Sequence, residues 1–175
     1  MTADAAAHTR HMRHMRHMRA AIALGEQARA RGDAPFGARI VAADGRVLAE
    51  DGNRVVSAGD LTAHAEIGAL RRLGDDVLRL DLTDATLYAS GEPCAMCAGA
   101  IAWSGIGRVV VALDAAAVEA LDGAAPNAPG IWGRELLART PRVTVDVGVL
   151  ADEAAARLWP ASGPPSAPSA PSAPS

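Results

Sequence analysis

The sequence contains no lysine; all 17 cationic side chains are arginine. Aromatics are almost as scarce, with five (Phe36, Tyr88, Trp103, Trp132, Trp159) among 175 residues, while 41 positions are alanine. A core made from this chain therefore has to be built from small and branched aliphatic side chains. No stretch approaches the ~18–20 uninterrupted apolar residues of a membrane span, and the N-terminus lacks the continuous apolar segment of a signal peptide. No membrane partner is expected, and a cytoplasmic location is. There are two cysteines, Cys94 and Cys97. They are too close in sequence for a disulfide scaffold and carry the spacing of a metal or redox pair. In a reducing compartment they are thiols or thiolates. The length suits one domain and excludes two unrelated catalytic ones.

The formal charge of −3 hides a division. Residues 1–19 hold Arg10, Arg13, Arg16 and Arg19 against Asp4, whereas the remainder has 13 Arg against 19 acids. A protein that grips a phosphate backbone normally shows a basic patch, because phosphate neutralisation supplies most non-specific affinity. The acidic body argues against a nucleic-acid partner.

Both ends read as additions. His11-Met12-Arg13 repeats as His14-Met15-Arg16 and His17-Met18-Arg19, so residues 1–17 are expected to be a low-complexity extension. Its histidines at 8, 11, 14 and 17 follow a drifting helical stripe that could hold a metal loosely, but a short repeated tract is more often low-complexity sequence. Residues 161–175, built on Ser-Ala-Pro repeats, have too little apolar surface to fold and are expected to be a disordered tail.

Residues 18–160 form the expected domain, and their periodicity alternates between helix and strand. A helix over 18–31 ends at Gly32. Strands over 37–43 and 46–56 flank Asp44-Gly45, a type I′ hairpin signal. Helices follow over 62–73 and 94–104, with a buried strand at 85–90 before the second and another at 109–113 after it. Shorter helices fit 115–121 and 131–138, a half-buried strand 142–149, and a closing helix 151–159. The order specifies an α/β fold, a three-layer α-β-α domain with a mixed five-stranded sheet.

Two short motifs carry chemistry. His64-Ala65-Glu66 opens the second helix and Pro93-Cys94-Ala95-Met96-Cys97 opens the third. Cys94 and Cys97, three apart on a helix, are neighbours on one face and can close on a single ion. The N-terminal end of a helix also favours thiolate over thiol. With no second cysteine pair, a four-cysteine structural site within one chain is excluded. His64 is the only histidine outside the N-terminal tract. If it is the third ligand, three protein ligands and an open position make the pattern of catalytic rather than structural zinc. Residues 64 and 66 would face apart in mid-helix and converge only around a helix start, which is where they stand. Glu66 would then be a carboxylate beside the open position, able to take a proton from water and deliver it to a ring nitrogen and a leaving amine. A lone Cys-x-x-Cys is often a redox pair and a lone His often a core residue. The two motifs together, each behind a strand and opening a helix, weigh for zinc.

These motifs resemble the cytidine and deoxycytidylate deaminase superfamily, on the branch of guanine deaminases, nucleoside deaminases and tRNA adenosine deaminases. The resemblance spans most of residues 18–159. It includes Ala34-Pro35-Phe36-Gly37-Ala38, Gly52-Asn53-Arg54, Thr62-Ala63-His64-Ala65-Glu66-Ile67, Glu92-Pro93-Cys94-Ala95-Met96-Cys97 and Ile106-Gly107-Arg108-Val109-Val110. It implies a cytidine deaminase-like fold, one zinc per chain held by His64, Cys94 and Cys97, Glu66 as the catalytic proton shuttle, and Asn53 as a base-binding side chain. Ala65, Trp103 and Asp114 complete the expected substrate contacts.

Trp103 is similar to a tryptophan of the guanine- and nucleoside-deaminase branch, where the tRNA-editing branch has a histidine nearby. After the fourth strand the tRNA-editing branch continues with a Lys- and Gly-containing segment, and this chain instead has Asp114 and three alanines. The expected substrate is a small nucleobase or nucleoside, guanine or a related aminopurine foremost. Wobble-adenosine deamination on tRNA is the alternative within the same chemistry, and a non-catalytic zinc-binding or redox module the alternative outside it. The resemblance also implies a homodimer. Trp132, Leu136, Leu137, Leu158 and Trp159 are many large apolar residues for the end of a small domain and require cover, and the closing helix is expected over a pocket.

Overall fold

In the computed structural model, residues 3–123 and 131–160 are described. The elements follow the order α1 (Ala3–Ala30), β1 (Gly37–Val41), β2 (Val47–Gly52), α2 (Val55–Ala58), α3 (Ala65–Arg71), β3 (Thr86–Gly91), α4 (Ala95–Ser104), β4 (Arg108–Leu113), α5 (Ala115–Asp122), α6 (Gly133–Leu137), β5 (Thr144–Val147) and α7 (Ala151–Leu158). A 3-10 turn at Gly74–Leu78 links α3 towards β3. One mixed sheet has the order β2-β1-β3-β4-β5. β1 is antiparallel to β2 and β3, and β3, β4 and β5 run parallel.

Successive strand residues face opposite sides of the sheet, and both sides are covered. Leu87, Ala89, Val109 and Val111 pack with Ile101 and Leu137 on the face of α3, α4 and α6, while Tyr88, Val110 and Ala112 pack with Met18, Ile22 and Leu158 on the face of α1 and α7. Burial on both faces is why β4, Arg-Val-Val-Val-Ala-Leu, reads as a continuous apolar run rather than an alternating one. The many alanines have a packing role: Ala65, Ala69 and Ala98 are buried where α3 and α4 lie on the sheet. No helix among the described residues is long and apolar enough to cross a membrane.

Three local features differ from the sequence reading. First, α1 does not begin near residue 18 but runs back through the His-Met-Arg repeat to Ala3. Positions 14, 17, 18, 21, 22 and 28 form an i, i+3, i+4 series that faces the sheet. His17, Met18, Ala21, Ile22 and Ala28 are fully buried along it. His14 Nδ1 hydrogen-bonds the Tyr88 hydroxyl at 2.6 Å, and both histidine rings lie against the Tyr88 ring. The last two copies of the three-residue repeat thus put His14, His17 and Met18 onto one helix face, while Met12 of the first copy stays exposed. The expected tail at residues 161–175 lies outside the described residues.

Second, the Asp44-Gly45 hairpin is not type I′. Gly45 has φ +92, but Asp44 is not among the positive-φ residues. The turn instead closes through Gly45 N–H to Ala42 C=O at 2.9 Å and Ala42 N–H to Arg46 C=O at 2.9 Å, a type I turn followed by a left-handed glycine. Third, the second strand stops at Gly52, and Val55 and Val56 belong to the short helix α2 rather than to the strand.

The buried stripe of α1 makes a prediction. Met18→Ala empties a fully buried methionine site and should lower stability by about 2–5 kcal/mol, read by denaturant unfolding. A variant as stable as the parent would show that the repeat does not contribute to the core.

Candidate active site

Two helix starts meet at the carboxyl-terminal side of the parallel strands. His64 is the N-cap of α3 (φ −68, ψ 155) and Cys94 the N-cap of α4 (φ −67, ψ 171), and neither side chain caps its own helix. The extended backbone at each N-cap turns the side chain away from the helix axis and across to the other motif. Cys97 lies one turn into α4 and is buried. His64 Nδ1 is 3.6 Å from Cys94 Sγ and 3.6 Å from Cys97 Sγ. Tetrahedral geometry at ordinary Zn–S and Zn–N lengths puts sulfur and nitrogen roughly 3.6 Å apart. The triangle therefore fits zinc, and two sulfurs with one imidazole suit an ion of borderline softness. Among the described residues, His64, Cys94 and Cys97 are the one such group of three or more His, Cys, Asp or Glu side chains.

The protonation pattern matches a set of metal donors. Hydrogen bonding with Cys97, outweighing burial and helped by His64, holds the Cys94 thiol down to about 4. The hydrogen bond to Cys94, then burial, push the Cys97 thiol up. The hydrogen bond with Cys94 raises His64. The three groups thus share protons that a bound cation would displace, so acid should weaken metal binding.

Glu66, in the first turn of α3, is 7 % exposed, and its Oε2 lies 3.5 Å from Cys97 Sγ. Burial pushes its carboxyl above the usual range and outweighs the favourable helix end. A carboxyl so raised can exchange a proton nearer neutral pH than a surface glutamate.

Above this floor lies a cavity of about 480 Å³ lined by His64, Glu66 and Cys94, by Phe36, Val55, Val56, Val118 and Trp132, and by Asn53, Glu92, Glu119 and Asp122 among its polar groups. The size is that of a small-molecule site. Asn53 is buried. Its Oδ1 accepts the Val55 N–H at 3.0 Å, so the amide NH₂ is the half left to read a ligand acceptor.

A family profile described as the cytidine and deoxycytidylate deaminase zinc-binding region matches residues 11–113, more than half of the chain. The chain belongs to this family. A probable cytosine deaminase of Schizosaccharomyces pombe is 48 % identical over 94 residues, 54 % of this chain and 56 % of that protein. The guanine deaminase of Bacillus subtilis is 49 % identical over 70 residues, 40 % of this chain and 44 % of that one. The chain thus spans about half the length of the curated relatives it matches. Among solved structures, a guanine deaminase from Nitrosomonas europaea superposes with a TM-score of 0.69 at 33 % identity, covering 82 % of this chain and 81 % of that one. The folds agree in the mixed five-stranded sheet layered with helices.

Within the family frame, the structure brings together His64, Glu66, Cys94, Cys97 and Asn53, all proposed from the sequence. It does not bring the other three to the cavity. Ala65, the first residue of α3, is buried in the core. Asp114 is the N-cap of α5, its side chain accepting the Ala117 N–H at 2.8 Å. Trp103 stands 93 % exposed on the outer side of α4 and meets no substrate space within its own chain. The closing helix α7 lies against α1 and the sheet rather than on the cavity. Its following residue, Trp159, reaches the wall from behind, edge-on to Phe36 and donating from Nε1 to Asp122 at 3.2 Å.

Two site residues were missed. Glu92, whose side chain is 1 % exposed, accepts the N–H groups of Ala115 (3.0 Å) and Arg134 (3.1 Å) and so ties the starts of α5 and α6 to the loop that carries Cys94. Trp132 pairs through its backbone with Cys94 and adds its side chain to the cavity wall. The close approach of α6 requires Gly133, where a Cβ would collide with the Pro93 carbonyl oxygen. Sequence could offer a glutamate before Pro-Cys as a signal, but not its two partners.

Proposed function

We propose that the chain is a zinc-dependent hydrolytic deaminase that converts the exocyclic amine of a free nucleobase or nucleoside, guanine or a related aminopurine foremost, to a carbonyl with release of ammonia. The observation that carries this is the zinc-sized triangle of His64, Cys94 and Cys97 with the Glu66 carboxyl beside it, 3.5 Å from Cys97 Sγ and lining the same cavity. Zinc held there supplies a water activated at neutral pH. Glu66 takes one proton from the attacking water and passes it to the ring nitrogen beside the reacting carbon, then takes the second from the added hydroxyl as the carbonyl forms and hands it to the amino group as its C–N bond breaks. Asn53 donates its amide N–H groups to an acceptor on the base, and Phe36 and Trp132 supply apolar surface for a flat ring while excluding water.

The cavity walls support a small aminopurine over RNA. Glu119 and Asp122 on α5 place carboxylates at the cavity, acceptors for the N–H groups of an aminopurine and repulsive to a phosphate backbone. A solved neighbour of 34 % identity and TM-score 0.70 was determined in complex with 2,6-diaminopurine. Trp103, the sequence argument for a purine, supports this reading no longer, because it faces outward.

Trp103 instead supports a homodimer. Met96 and Trp103 are exposed seven residues apart on α4, with Gly99 and Ala100 between them on the same face. Small residues flanked by large apolar ones allow two helices to approach closely. Trp103→Arg should shift the protein from dimer to monomer in sedimentation at low micromolar concentration, and a parent that is monomeric and fully active would contradict the dimer.

A screen of guanine, adenine, cytosine, their nucleosides and aminotriazines for ammonia release tests the activity. An aminopurine should be turned over, and Glu66→Gln should keep its zinc but lose rate by at least ~10²–10⁴. Release from tRNA-embedded adenosine alone would replace the small-substrate reading. Near-parental turnover by Glu66→Gln would remove the shuttle.

A further inference from the structure

Part of the cavity wall is made by a segment with little support of its own. Helix α2 is four residues long, contributes no buried residue, and its Val56 is 57 % exposed. So short a helix does not hold itself. Yet Val55 and Val56 line the cavity, and the Val55 N–H fixes the Asn53 side chain.

Besides the Arg54 N–H to Ala63 C=O contact beside it, α2 is held by a carboxylate from elsewhere. Asp33, between α1 and β1, has a side chain with no solvent exposure. Its Oδ1 accepts the N–H groups of Val56 at 3.0 Å and Ser57 at 2.8 Å, and its Oδ2 accepts the Ser57 hydroxyl at 2.8 Å. Arg31 lies 3.4 Å from the same carboxylate and donates to the Asn53 carbonyl at 3.0 Å. The first three amides of α2 are therefore held by two side chains, Asn53 and Asp33, and Arg31 fastens both. A buried carboxylate is a poor choice for stability alone, since apolar packing commonly does as well or better. All three of its hydrogen bonds go to a segment that adds nothing to the core.

We propose that Asp33 is a positioning residue for substrate recognition, holding the Val55–Val56 wall and, through it, the Asn53 amide in the geometry that the base meets. The inference rests on the deaminase reading above. Asp33 touches neither the zinc ligands nor Glu66, so its loss should act on binding more than on chemistry.

The test compares Asp33→Ala, Asp33→Asn and, as a stability control on the other face of the sheet, Met18→Ala. Each is assayed for zinc content, melting temperature, and kcat and KM with the best aminopurine of the parent protein. Loss of hydrogen bonds to a charged group should raise KM at least ~tenfold in Asp33→Ala, with kcat within about threefold and zinc unchanged. Asp33→Asn keeps an oxygen for the two amides and should recover most of the loss, leaving KM about threefold high. Met18→Ala should lower the melting temperature without moving KM. A parental KM in Asp33→Ala, or an equal rise in Met18→Ala, overturns the inference. Should Asp33→Ala not fold, a parental KM in Asp33→Asn overturns it. If the parent protein turns over no base or nucleoside, the deaminase reading falls separately. Hydrogen exchange at the Val56 and Ser57 amides then decides: exchange at least ~tenfold faster in an Asp33 variant supports the holding role, and unchanged exchange overturns it.

Discussion

Everything at the site depends on two helix starts facing each other. An N-cap side chain ordinarily turns back to accept an amide of its own helix. His64 and Cys94 share the same extended backbone at that position, leave their own helices uncapped, and meet each other at 3.6 Å. The amino ends of α3 and α4 consequently aim their positive dipoles into one small volume, which favours thiolate at Cys94 and carboxylate at Glu66. At Glu66 burial is the stronger effect, and the carboxyl is raised. One local geometry, used twice, thus gathers two sulfurs, an imidazole and a proton carrier.

The sheet sets where those helix starts fall. β3 and β4 run parallel, so the segments that follow them, Glu92 to Cys94 and Asp114 to Ala115, emerge side by side, and Glu92 N–H reaches the Leu113 carbonyl at 2.8 Å. Around them, buried carboxylates act as ties between elements distant in sequence. Glu92 joins α5 and α6 to the Cys94 loop, Asp33 holds α2, and Asp51 pairs with Arg54 at 3.1 Å and Arg72 at 2.9 Å to bind the end of α3 to β2. Burial pushes the Asp51 carboxyl up, but the hydrogen bonds from Arg72 and Arg54 outweigh it and leave it below the ordinary range. In a protein with few aromatics, these polar ties position what large side chains would otherwise wedge into place.

Apart from α2, the helix and strand order was legible in the sequence because periodicity reports burial, and each of the five strands overlaps the stretch the apolar pattern assigned to it, the second ending early at Gly52. The zinc motif was legible because its residues are local: His-x-Glu and Cys-x-x-Cys each sit within one turn. What was not legible depends on partners far along the chain. Val55 and Val56 look like strand because they are β-branched, but their amides are taken by side chains, Val55 by Asn53 and Val56 by Asp33, which lies more than twenty residues earlier. The repeat at residues 11–19 looks like low complexity until Tyr88 and the sheet provide a face for His14, His17 and Met18. Trp103 and Asp114 lie close in sequence to the site, but one points away from the fold and the other caps its own helix. Sequence proximity is not direction.

The central claim is that His64, Cys94 and Cys97 hold one zinc ion with an open fourth position. X-ray absorption at the zinc edge of the purified protein tests it most directly. The account predicts one zinc per chain with two sulfur neighbours at about 2.3 Å and two nitrogen or oxygen neighbours near about 2.0–2.1 Å, the second of these being solvent. A shell of four sulfurs, or a protein that takes up no zinc while its two cysteines cycle as a disulfide, would contradict it.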